Sequence, residues 1–268
     1  MRIAIDHRTR YRFTKPQARI VQLLRMTPQD GVDQTVVHWH IGVDCDARLR
    51  ETRDGFGNKV TMLYASGPIE HIELSVTGEV LTADGNGIVG GAWEPLPPLL
   101  FTRASARAGP TREIAEFAAG FEGGDAVERL HRLNFALFSR YEPSSEDHDA
   151  GRSAGETFAQ ETATPRDLAH VFIAAARSLA VPARYITGYR ADGVDHRPAP
   201  CAWAEAHVEG LGWVTFDPSR GVSADERYVR VSVGLDAATA APVAGSRLGE
   251  GREELDVDVH VETLSGAG

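Results

Sequence analysis

Cysteine is scarce in this 268-residue chain: Cys45 and Cys201 are its two thiols. They fall in different predicted domains and offer neither a disulfide framework nor the paired spacing of a metal site, so both are expected to be reduced. Clusters of Lys and Arg are also missing, and the formal net charge is -10. That excludes a general nucleic-acid or anionic-membrane surface, because phosphates need grouped cations. No apolar run approaches the ~20 residues of a membrane-spanning helix. The opening Met1-Arg2-Ile3-Ala4-Ile5-Asp6 reads as a strand and lacks a signal peptide's apolar core, so a cytoplasmic location is the expectation. There is no internal repeat. Gly55-Phe56-Gly57 lacks the strand-then-helix setting of a phosphate-binding loop, and no cofactor or metal is implied.

What is present is a chain long enough for about two domains. Residues 1–84 carry strand signals almost throughout, as in Ile69-Glu70-His71-Ile72-Glu73-Leu74, where alternation demands one buried sheet face. The expected strands are 3–13, 17–25, 34–43, 48–54, 59–65 and 69–81, with a tight turn at Asp54-Gly55-Phe56-Gly57-Asn58. Residues 85–110 form a linker, rich in Gly and then Pro. Its Trp93, Leu96, Leu99, Leu100 and Phe101 are too apolar for a free tether and are expected to dock on the core. A helix is predicted over 111–121, and a longer one opens at Asp125 and ends before Pro143. Residues 144–162 are polar and read as a surface loop. The third unit spans 111–268 and takes in the alternating strand Leu255-Asp256-Val257-Asp258-Val259-His260-Val261-Glu262.

The richest stretch is 164–217. Thr164-Pro165-Arg166-Asp167 is a helix start: Thr164 caps, Pro165 suits the first helical position and Asp167 lies in the first turn. Leu168, Phe172, Ala175, Ala176 and Leu179 form the apolar stripe that follows. Cys201-Ala202-Trp203-Ala204-Glu205 and Trp213-Val214-Thr215-Phe216-Asp217 read as antiparallel strands joined by the turn Glu209-Gly210-Leu211-Gly212, which would bring Asp217 beside Cys201.

These residues closely resemble bacterial transglutaminase-like proteins, whose papain-like core carries Cys in "G-V-C-Q-D-F-A-H", His in "H-A-W-A-E" and Asp in "F-D-P-T". The resemblance extends to the "L-R-M-T-P" and "D-G-F-G-N" segments of the N-terminal domain and covers nearly the whole chain. It implies an α+β protein: an N-terminal antiparallel β-sandwich, then a papain-like transglutaminase core of helices packed on an antiparallel sheet. It also places the family's Cys at Pro165, its His at Cys201 and its Asp at Asp217. Proline brings no nucleophilic atom and no backbone N–H for an oxyanion. A thiol acidified by a helix terminus and activated by a carboxylate-oriented His is thereby lost.

The resemblance therefore implies a catalytically inactive relative acting as a binding, scaffolding or regulatory subunit. Its family associates are ATP-grasp ligases, all-helical partner proteins and a proteasome-like peptidase, and its cleft would hold a peptide or glutamine-like amide. Trp203, Glu205, His170 and Asp167 are the candidates for that cleft. The plainer readings are that Trp203 packs the sheet, Glu205 pairs with an Arg such as Arg184, and Cys201 is a small half-buried strand residue. One competing reading is an active cysteine hydrolase or acyl transferase using Cys201, with His170, His196 or His207 as base. Another is a metal-dependent hydrolase built from Cys201, Asp217 and nearby His.

Overall fold

The computed structural model describes residues 1–144, 152–193 and 199–264. Its first element, β1 (Arg2–Leu24), is a single long strand. It is followed by β2 (Gln34–Val43), β3 (Ala47–Arg53) and the equally long β4 (Lys59–Thr82). The four strands expected over 3–13, 17–25, 59–65 and 69–81 are thus two. Register between β1 and β4 shifts near Gln17, beside Pro16 and Pro68, and prolines in sheets are confined to such irregular places. A Cβ on Gly67 would lie 1.9 Å from the Gln17 carbonyl oxygen, so the two bends meet where only glycine fits.

Because both long strands bend, one six-stranded antiparallel sheet folds over on itself. Tyr11, Ile72, Leu74 and Val76 from one half share a core with Ile20, Leu24, Leu63 and Ala65 from the other. Near the turn between β3 and β4, the Asp54 carboxylate accepts from the Phe56 and Asn58 amides, while Gly57 takes the positive φ of 90° that the turn requires.

The linker contributes β5 (Ile88–Val89) and a 3-10 turn over Pro98–Thr102. Phe101 is buried, whereas Trp93 and Leu99 are 55% and 74% exposed, so docking is narrower than the composition implied. Trp93 still lies beneath the Arg53 guanidinium, 5.0 Å from its ring.

Next come α1 (Arg112–Ala119) and α2 (Ala126–Arg140), the latter capped by Asp125, whose carboxylate accepts from the Val127 and Glu128 amides. After β6 (Glu142–Pro143) comes the short helix α3 (Ala154–Phe158), in a stretch whose composition reads as loop but where the family resemblance implies a short helix. Ser153 and Glu156 close it as a capping box, giving a five-residue helix whose apolar pattern is too short to register. β7 (Thr162–Ala163) pairs with β6.

The core sheet is built from β8 (Ala183–Arg190), β9 (Cys201–Val208), β10 (Gly212–Phe216) and β11 (Tyr228–Gly234), in the order β11-β8-β9-β10-β5. Helix α4 (Pro165–Ser178) covers one face. Ala202, Ala204 and Ala206 pack with its apolar residues, and Phe172 stacks on Phe216 at 4.9 Å between ring centroids. Strand alternation sends Trp203 and Glu205 to the opposite face.

The C-terminal strands depart from expectation. β12 (Val243–Leu248) and β13 (Glu253–Thr263) both pair with β1, completing the N-terminal sheet rather than the core. Alternation in 255–262 specifies a half-buried strand but not whose edge it joins. Here Val259 and Val261 cluster with Ile3, Ile5 and Val80 of the first sheet and with Tyr189, Val229 and Val231 of the second. The apolar face of β13 therefore belongs to the junction between the sheets. Two side-chain amides secure the same junction along the outer edge of β11. Asn58 Nδ2 donates to the Val233 carbonyl and Asn58 Oδ1 accepts from the Val233 amide, both at 2.8 Å. Gln34 makes the equivalent pair with the backbone of Arg230, at 3.0 and 2.8 Å.

Candidate active site at the α4 terminus

Helix α4 begins with a reciprocal capping box. Thr164 Oγ1 accepts from the Asp167 amide at 3.2 Å, and Asp167 Oδ2 accepts from the Thr164 amide at 3.3 Å. Pro165 fills the first helical position and has no N–H to offer. Asp167 Oδ1 also takes the Arg152 amide at 3.3 Å, and its residue is 1% exposed. This carboxylate is a capping group.

One turn on, His170 is fully buried. Its Nε2 accepts from the Ala237 amide at 3.0 Å, and its Nδ1 lies 3.2 Å from the Arg152 carbonyl. Nε2 must be bare and Nδ1 protonated, which is the neutral ring. Burial pushes its pKa down to about 4, against the opposing pull of Asp236. His170 is an internal strut.

Cys201 is half-buried at the start of β9, opposite Gly188 of β8. Asp217 directly follows β10 and is 1% exposed. Its Oδ1 accepts from the Ser219 amide at 2.9 Å and from Ser219 Oγ at 2.6 Å. Its Oδ2 accepts from Tyr228 Oη at 2.8 Å and from Arg220 at 3.1 Å. Two neighbours join the parts. Burial raises the Tyr185 hydroxyl pKa, with Arg166, Asp167, Asp236 and Cys201 all in electrostatic reach. Tyr185 lies on β8 opposite Ala204 of β9, its ring 5.2 Å from that of His170 in α4. Burial opposes the charge on Arg220, but Asp217, Tyr228 and Cys201 outweigh it, so its pKa is raised. Arg220 is thus the shared neighbour of Cys201 and Asp217.

Comparison with known proteins agrees with this architecture. Residues 3–81 match the bacterial transglutaminase-like N-terminal region, and residues 115–218 match the transglutaminase-like superfamily core. The chain belongs to the bacterial transglutaminase-like family. An uncharacterized protein of Mycobacterium leprae (strain TN) is 25% identical, with 98% of this chain and 99% of that protein covered. An uncharacterized protein of Mycobacterium tuberculosis (strain ATCC 25618 / H37Rv) is 24% identical over 98% of this chain and 92% of its own length. The fold is also that of the crystal structure of a proposed cysteine protease from Cytophaga hutchinsonii, with a TM-score of 0.78 and 21% identity over 100% of this chain and 92% of that one.

In this transglutaminase-like protein, the four residues expected to line a cleft are all buried. Trp203 is 1% exposed and packs edge-on against Tyr228 at 5.3 Å. Glu205 is wholly buried and pairs with Arg184 and Arg230, each at 2.7 Å, so the expected Arg184 partner is present with a second cation. Desolvation works against the Glu205 carboxylate, yet Arg230 and Arg184 hold its pKa below the ordinary range. Arg184 also takes a bidentate grip on Glu94, at 2.6 and 2.8 Å, and lies 3.7 Å from the Trp213 ring centroid.

The histidines offered as bases fare differently. His207 is at the far end of β9, and a strand rise of about 3.3 Å per residue puts it roughly 20 Å from Cys201. It packs edge-on against Trp213 at 5.3 Å. His196 lies outside the described residues. Among those described, no group of three or more His, Cys, Asp and Glu is placed to hold a metal. Tyr185, Ser219, Arg220 and Tyr228 were not anticipated as site residues. Ser219 and Arg220 had a local signal, since they follow Asp217 by two and three positions, the spacing at which an Asp turns back on its own chain. Tyr228 had none beyond its strand.

Proposed function

We propose that this transglutaminase-like protein is catalytically inactive and serves as a binding, scaffolding or regulatory subunit for a peptide or protein. The observation that carries the proposal is Pro165 at the first position of α4, closed over by the Thr164–Asp167 cap. The family resemblance puts the nucleophile there. In support, His170 has both ring nitrogens engaged, and the Asp217 carboxylate is filled by Ser219, Tyr228 and Arg220. A carboxylate so occupied is a structural anchor for the β10–β11 connection. By resemblance, an ATP-grasp ligase, an all-helical protein and a proteasome-like peptidase are the first partners to test.

The competing reading, a cysteine hydrolase or acyl transferase, draws on one feature: the Arg220 cation within electrostatic reach of Cys201. Alkylation followed across pH, with Cys201 and Cys45 resolved by peptide mass spectrometry, separates the two. Modification of Cys201 that climbs only at alkaline pH fits an inert thiol. Rapid modification of Cys201 alone, well below pH 7, would mark an activated thiolate and overturn the proposal. The double variant Pro165→Cys with Cys201→His is expected to regain a reactive thiol at 165. A folded double variant with an inert thiol there would refute the residue correspondence itself.

A further inference from the structure

The two long strands, β1 and β4, each present two different outer faces. Where Arg2–Arg12 of β1 pairs with β4, the outward positions are charged and matched: Arg2 pairs with Glu79, Arg8 with Asp6, and Arg10 with Glu73 and Asp256. Beyond the register shift at Gln17 the pattern changes. Ile20 and Leu24 point into the core with Leu63 and Ala65, so alternation sends Val21, Leu23, Met62 and Tyr64 outward. Register sets them in two rows across β3, β4, β1 and β12: Arg50-Met62-Leu23-Ala244 and Arg48-Tyr64-Val21-Ser246. Arg19 and Leu248 pair in the next row.

None of these apolar side chains joins the clusters of the interior. Tyr64 is 43% and Leu248 62% exposed, and the others are half-buried. An antiparallel sheet that faces water on one side ordinarily carries polar residues there, as the first outer face does. On this second face the charges are cations at the margin. Arg19, Arg48 and Arg50 are exposed and make no ion pair or side-chain hydrogen bond with the described residues, in a chain whose formal net charge is -10. An apolar face flanked by unmatched positive charge is complementary to an apolar surface flanked by carboxylates.

Neighbouring strands lie about 4.8 Å apart, so these four span about 14 Å. An α-helix with its side chains is about 10–12 Å across, and a helix is the ordinary cover for the apolar face of a sheet. A second copy of the chain does not fit. The same face turned on itself sets Arg48 and Arg50 against like charges, and on the other outer face Asp6, Glu73, Glu79 and Asp256 already have arginine partners. The net charge also repels an anionic bilayer. We propose that this outer face docks an acidic amphipathic helix of a partner protein, with the helix's apolar stripe on Val21, Leu23, Met62 and Tyr64 and its carboxylates on Arg19, Arg48 and Arg50. This names the partner chemistry of the binding role proposed above and rests on that role. It draws on no residue of the α4 terminus, so its failure leaves the reading of Cys201 untouched, and a reactive Cys201 leaves this face untouched.

The test is titration of the ¹⁵N-labelled full chain, following the backbone amide resonances of Val21, Leu23, Met62 and Tyr64. The probes are two helical peptides of about 18 residues with the same leucine stripe, one flanked by glutamates and one by lysines, together with phosphatidylglycerol vesicles and oligothymidylate. Saturable shifts at these amides with the glutamate peptide, roughly tenfold tighter than with the lysine peptide and weakened by salt, support the site. The chain's net charge alone favours the opposite order. In the double variant Arg48→Glu with Arg50→Glu the preference should invert, whereas Arg12→Glu should leave it as it is. Equal affinity for the two peptides, a lysine preference in the unaltered chain, or no saturable shift overturns the proposal. So does tighter binding of the vesicles or of oligothymidylate, or shifts that follow protein concentration with no probe added. The peptide comparison uses the unaltered chain, so it stands even if a variant fails to fold.

Discussion

Tyr228 Oη donates to Asp217 Oδ2 at 2.8 Å, joining the first residue of β11 to the residue that follows β10. Burial and then the adjoining carboxylate both raise the phenol's pKa, so Tyr228 is held as a donor. Its ring packs against Trp203 on the other side, and the expected Asp217 and the unanticipated Tyr228 act as one unit.

Removing that hydroxyl leaves a buried carboxylate one donor short. Tyr228→Phe should lower stability by about 1.5–3 kcal/mol, the usual worth of a hydrogen bond to a charged group. Ser219 and Arg220 remain on Asp217, so the fold should survive. Urea denaturation checks this through a lower midpoint with an unchanged slope.

Acid should act through two buried histidines. His7 bonds Tyr189 Oη through Nδ1 at 2.9 Å and Thr9 Oγ1 through Nε2 at 3.1 Å, and burial pushes its pKa down to about 4, as it does that of His170. The unfolded chain protonates these rings first, near pH 6.5, so it binds more protons between about pH 6.5 and 4. Stability is therefore full above that window and falls as the pH drops through it, by at most roughly 3 kcal/mol per ring. His170→Gln should flatten part of this fall, measured as the difference in denaturation midpoint from the parent chain at pH 7, 6, 5 and 4.5. Equal pH profiles for the two proteins would remove His170 as a cause.

Glu205 sits between two cations with no exposure of its own. Glu205→Gln keeps the volume but strips the charge, leaving Arg184 and Arg230 to share Glu94. Breaking a buried pair in this way costs about 3–5 kcal/mol. Glu94→Gln, at a side chain 33% exposed, should cost clearly less. Thermal melts of the two variants side by side decide the ranking.

The α4 terminus was legible because its signals are local. A Thr cap, a proline and an acidic residue three positions after the cap act within one turn, and all three occupy those roles. The Arg184–Glu205 pair was legible for a related reason, since the two residues face each other across adjacent strands. The place of His170 in the chain, close to the site, points to a cleft residue. Its burial depends on Arg152 and Ala237, 18 residues before it and 67 after, and no pattern in the sequence links those positions.

The sequence by itself determined the strand-rich first module, helices α1, α2 and α4, the caps at Asp125 and Thr164, the turn at Asp54–Asn58 and the family motifs, because each rests on alternation or on contacts within a few residues. Tertiary structure decided which sheet receives β13, since an alternating strand can complete any free edge that buries its apolar face. It also decided the burial of His170 and the pairing of Tyr228 with Asp217. Those features arise where distant segments exclude water together, and exclusion of water is a property of the packed chain rather than of any stretch of it.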